Sequence, residues 1–189
     1  ASNGDAVATP LNISITAIPS GTYDEGSFYG GSWNDGDNEG SGFGPWVFNH
    51  TSDTNEPAYF AGVFIGDPAN SGISGMDQQS FGFYANPANS GANAEVTRTL
   101  NSPMMIGDTF VFQLGLNFDS GTDGSNRGFN LFAGGNELLN INQGNGATIT
   151  VNGSNMFTNY GTQAMTISIE YQADGIVRVY GTGRDGVET

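Results

Sequence analysis

The sequence predicts an all-β protein, an antiparallel β-sandwich of ten or more strands, and three observations carry that expectation. The first is alternation, clearest at Thr109–Phe118, where Phe110, Phe112, Leu114, Leu116 and Phe118 take every second position. A strand sends successive side chains to opposite faces, so this pattern gives one wholly apolar face; a helix would scatter the same five around its circumference. The second is punctuation: turn-forming Gly, Asn, Asp and Pro recur roughly every ten residues, as between hairpin-linked strands, and the chain holds 30 Gly. The third is the absence of any helical period. With 13 Phe and 7 Tyr the chain also has the material for a core, which separates it from Gly- and Ser-rich disordered sequences.

Taken in order, Leu11, Ile13, Ile15 and Ala17 alternate with Asn12, Ser14 and Thr16, giving a first strand over 11–18. Residues 19–44 read as a long loop-rich stretch with aromatic pieces at Phe28, Tyr29 and Trp33. Trp46–Phe48 is a short strand after Pro45, and Tyr59–Ile65 is a near-continuous apolar run, as in a strand buried on both faces. A turn over 66–72 leads to strands at Ser80–Ala85 and Ala94–Leu100. Thr109–Phe118 reads as the central strand, with Phe110, Phe112, Leu114 and Leu116 in the inter-sheet core. Strands at Gly128–Ala133, Glu137–Asn142 and Ala147–Asn152 follow, then the alternation of Met165, Ile167, Ile169 and Tyr171, and a last strand at Gly175–Thr182. The 189 residues fit a single domain without internal repeats, with residues 1–18 an edge strand or one donated to another chain.

Nineteen acidic residues against four Arg and no Lys leave a net charge of −15. That lacks the basic footprint of a nucleic-acid binder and disfavours anionic membranes. A field of this sign suits cations, calcium above all. With no Cys, neither disulfides nor thiolate metal sites exist. No apolar run is long enough to insert across a bilayer. The sequence begins at Ala1 without an initiator Met, which reads as a processed N-terminus and hence a secreted or cell-surface protein.

Gly42-Phe-Gly-Pro-Trp46, Gly62-Val-Phe-Ile-Gly66, Ser80-Phe-Gly-Phe-Tyr84-Ala-Asn86 and Gly107-Asp-Thr-Phe110 follow one another in a familiar order. Over about residues 41–181 the chain resembles secreted bacterial modules of surface and matrix proteins with a concanavalin A-like jelly roll. The resemblance implies two packed, curved antiparallel sheets and, most often, carbohydrate binding. Such modules run on for another strand or two beyond the position of Gly175–Thr182, so either a longer protein or another chain is expected to complete the sheet.

Two acidic loops are candidate calcium sites. Asp35, Asp37 and Glu39 alternate within Asn34-Asp-Gly-Asp-Asn-Glu-Gly40, and Asp119 and Asp123 follow the central strand. Calcium takes six to eight oxygens, and alternating acids in a Gly-rich loop can converge on it; the twelfth position after Asp35 is not the Glu of an EF-hand, Trp46 standing where it is needed. The alternative for both is a solvated Asx-type turn. For sugar binding, Trp33, Trp46, Tyr59 and Tyr84 are aromatics able to stack on a sugar ring; Trp33, set among Gly and Asp, is the candidate exposed platform, with Tyr84 and Asn86 as further candidates, and Trp46, next to Val47 and Phe48, reads as core. The single His50 reads as a surface residue. Glycoside hydrolysis needs a pair of carboxylates facing each other across a cleft, and the strand acids Glu95, Glu137 and Glu170 are isolated, so the expectation is no enzyme.

Two functions are weighed, and the first is favoured. One is a non-catalytic extracellular structural subunit, calcium-stabilised, whose Leu11, Ile13, Ile15 and Ile18 strand joins other copies of the chain into a filament, surface layer or matrix. The other is a carbohydrate-binding, lectin-like adhesion module for glycans.

Overall fold

The computed structural model describes residues 21–51, 61–85, 92–117, 126–144, 148–157, 163–173 and 176–182. The expected strand at Leu11–Ile18 lies outside them, as do Tyr59, Asn86, Phe118, Asp119 and Asp123. The described strands are β1 (Val47–Thr51), β2 (Ala61–Gly66), β3 (Ser80–Ala85), β4 (Asn93–Thr97), β5 (Thr109–Leu114), β6 (Arg127–Ala133), β7 (Asn136–Gln143), β8 (Ile149–Val151), β9 (Ser154–Phe157), β10 (Met165–Ala173) and β11 (Ile176–Thr182). They pair antiparallel throughout, in sheets ordered β1-β4, β2-β3, β11-β10-β5 and β6-β7-β8-β9. The all-β expectation holds.

The alternating segments fold as their patterns demand. In β10, Met165, Ile167 and Ile169 all face inward and are fully buried. In β5, Phe110, Phe112 and Leu114 turn toward the same core while Val111 and Gln113 face water. Leu139 and Ile141 of β7, Ile149 of β8, Met156 and Phe157 of β9 and Val179 of β11 complete the cluster. Side chains from the three-stranded and four-stranded sheets therefore meet in one core. Phe112 stacks on Phe129 of β6, with centroids 4.6 Å apart.

Three sequence expectations need correction. Thr109–Phe118 is not the centre of its sheet: β10, the longest strand, lies between β11 and β5, and among the described residues β5 pairs on one side only. The strand at 59–65 is not buried on both faces, because Phe64 is 45% exposed. Third, β9 went unrecognised. Its hairpin with β8 turns at Asn152-Gly153, with φ of 46° and 82°, the left-handed pair that a two-residue Asn-Gly turn supplies. Asn152 bonds back to β7 through its N–H to Asn140 O, and its Oδ1 accepts the Asn140 N–H, both at 2.8 Å.

Candidate functional site

The most connected polar site is built around Arg98, which follows β4. Its Nη1 pairs with Asp24 Oδ2, and the two side chains are only 6% and 7% exposed. Nε and Nη2 donate to Gly44 O at 3.1 and 2.9 Å, and Nη2 also donates to Asn38 Oδ1 at 2.6 Å. The guanidinium lies between the rings of Phe43 and Trp46, 4.4 and 4.5 Å from their centroids. A planar, weakly hydrated guanidinium suits such a slot, where an ammonium would not. Trp46 Nε1 donates to Tyr29 Oη and Tyr29 donates to Asp24 Oδ2, both at 2.8 Å. Burial, and next the Asp24 bond, hold the Tyr29 phenol above its ordinary pKa. The result is a lock that pins the loop around Asp24–Tyr29, the 38–46 segment and the end of β4 together. No local pattern in the sequence marks it, because Arg98 and Asp24 stand 74 residues apart.

Trp33 belongs to the neighbouring aromatic cluster and is 5% exposed, so it is not a surface platform. Trp46, Phe48, Phe81 and Phe83 surround it with centroids 4.6 to 5.5 Å away. Its neighbours in sequence are polar, but its neighbours in space are Trp46, just ahead of β1, and residues of β1 and β3. Trp46, expected in the core, is only half-buried. His50 is exposed beside Phe48, as expected.

The Asp35–Glu39 loop spends part of its acidity on the backbone. Asp35 Oδ1 accepts the Phe48 N–H at 2.9 Å, and Asp37 Oδ2 accepts the Asn34 N–H at 2.7 Å. The first ties the loop to the start of β1 and the second closes it on itself, so both carboxylates serve the backbone of a turn. Among the described residues no three His, Asp or Glu side chains are grouped as a metal would need. Glu95, Glu137 and Glu170 lie on three different sheets, in β4, β7 and β10.

Tyr84 lies in a different setting, with a partner that the sequence reading overlooked. In the β2–β3 register Phe64 stands opposite Gly82 and Tyr84 opposite Gly62. Each ring crosses to the opposite strand and lies on that glycine: a Cβ on Gly82 would meet Phe64 Cζ at 2.3 Å, and one on Gly62 would meet the Tyr84 hydroxyl at 2.6 Å. Aromatic rings commonly cover strand glycines in this way, hiding backbone that has no side chain. Because Phe64 and Tyr84 are both even-numbered positions of paired strands, they share one face, 6.2 Å apart. The local signal was available in Gly62-Val-Phe64 and Gly82-Phe-Tyr84.

Sheet edges are the last feature. Among the described residues β5, β11, β6 and β9 each pair on one side only. Along β11, Val177, Val179 and Gly181 face inward, while Ile176 and Arg178 face water. Comparison with protein-family models, curated proteins and solved structures finds no match to this chain.

Proposed function

We propose that this protein is a non-catalytic extracellular structural subunit, built on a concanavalin A-like jelly-roll β-sandwich, that polymerises by strand addition. One observation carries the reading. Sheet edges stand without partners among the described residues, while Leu11, Ile13 and Ile15 form an apolar stripe at strand period. Unpaired edges are templates for another chain, and an added strand gains a row of backbone hydrogen bonds. A head-to-tail contact of this kind propagates unless its rotation happens to close a ring. Deleting residues 1–18 is expected to convert polymers into soluble monomers with an unchanged β circular-dichroism spectrum. Polymers of the truncated chain, seen by electron microscopy, would overturn the reading.

Calcium held by Asp35, Asp37 and Glu39, or by Asp119 and Asp123, is the stabilising ion we propose alongside it. A ligand bound only by the folded state raises stability by mass action, so excess chelator is expected to lower the melting temperature. An unchanged melting curve removes the ion from the account.

The glycan-binding reading keeps one observation in its favour, the neighbouring Phe64 and Tyr84 rings laid over the glycines of the facing strands. The negative faces of such rings attract the partly positive C–H groups of a pyranose. If this reading holds, Phe64→Ala with Tyr84→Ala abolishes retention on polysaccharide columns and leaves polymerisation intact.

A further inference from the structure

We infer that the acceptor for the Leu11–Ile18 strand is the outer edge of β11, together with the cleft that opens beneath it toward the β8–β9 hairpin. This inference rests on the assembly reading above and selects one of the four outer edges of the two larger sheets in the described residues.

The choice follows from how the two larger sheets meet on their two sides. On the β5–β6 side the gap is filled: Phe110 and Phe112 of β5 both stack on Phe129 of β6, at 5.6 and 4.6 Å. On the β9–β11 side, among the described residues, an aromatic ring closes one end. There Phe157 lies on Gly181, where a Cβ would come within 2.2 Å of its ring. Toward the other end of β11 lies a cleft of about 390 Å³ lined by Leu139, Val151, Asn152, Ser154, Val177 and Val179. Four of those six are branched aliphatic residues, so the cleft is mostly apolar while open to water. Lining atoms at such a cleft lose the dispersion contacts that a filled core supplies.

The Leu11–Ile18 segment fits that cleft in three respects. Its apolar residues stand two apart, the spacing at which β11 presents Val177 and Val179 to the inner face, so a strand laid beside β11 continues the same row. The branched chains of Leu11, Ile13 and Ile15 match an aliphatic lining. Third, residues 6–23 contain no charged side chain. In a chain of net charge −15, that is a stretch able to approach a neighbouring copy without like-charge repulsion. The β11 edge also carries Arg178, one of only four cations in the chain, on its exposed face.

Because the chain has no Cys, a cross-linking experiment is clean. Ser14→Cys with Arg178→Cys places thiols on the outward faces of the segment and of β11. Ser14→Cys with Val111→Cys does the same for the β5 edge, where Val111 is exposed. Full-length protein is treated with a short bis-maleimide, and covalent multimers are read on a denaturing gel. A multimer ladder from the Arg178 pair, with none from the Val111 pair, is the expected result. A ladder from the Val111 pair alone, or equal ladders from both, overturns the β11 acceptor and leaves assembly by strand addition standing. Cross-linking confined to single chains, or no ladder from either pair with monomers in light scattering, overturns both.

Discussion

Replacing Arg98 by alanine is expected to destabilise the fold by about 3–5 kcal/mol, the loss found when one partner of a buried ion pair is removed. Arg98 and Asp24 are nearly inaccessible, so the substitution strands a carboxylate whose Oδ1 already has no hydrogen-bond partner. It also takes two donors from Gly44 O, one from Asn38, and the cation from between Phe43 and Trp46. Lysine is no substitute, since a single ammonium cannot reach Gly44, Asn38 and Asp24 together while lying flat between two rings. A double-mutant cycle in urea with Asp24→Asn separates the pair from the packing. A loss below about 1 kcal/mol for Arg98→Ala would show that the lock is solvated and carries little stability.

The importance of Arg98 bears on what a single sequence reveals. Strand positions are legible where a strand carries its own period: the pattern at Ser80–Ala85 matches the observed bounds, and Met165, Ile167 and Ile169 turn inward as their alternation requires. Boundaries failed where the pattern continues past the pairing. The apolar alternation runs on to Leu116, which is buried, yet the ladder with β10 ends at Leu114 opposite Met165. Central and edge strands could not be told apart either, since both Thr109–Phe118 and 165–171 alternate cleanly and only the partner list separates them. Sites were much less legible. Trp33 was assigned to the surface from its polar sequence neighbours, whereas residues 46–48 and 81–83 enclose it. Of the proposed sugar-binding residues Tyr84 lies on an aromatic face, but its companion Phe64 went unnoticed because register, and not proximity in sequence, puts them side by side.

Phe157→Ala is expected to cost about 3–5 kcal/mol, the range for a buried aromatic truncated in a core that cannot collapse around the space. Phe157 is fully inaccessible. Its ring lies on Gly181 of β11, where no side chain exists to move into the vacated volume. The same residue closes one end of the gap between β9 and β11, so its loss opens the core on that side. Phe112 makes the comparison. The sequence marks it as the core aromatic, but it is only partly buried and stacks on Phe129 at the other side of the cluster. Phe112→Ala is therefore expected to lose less, about 2 kcal/mol, because part of the side chain is in water already. Both values follow from urea unfolding with an unchanged m-value. If Phe112→Ala proves the more damaging of the two, the core is centred on the β5–β6 side, and the account of a filled side and an open side is wrong.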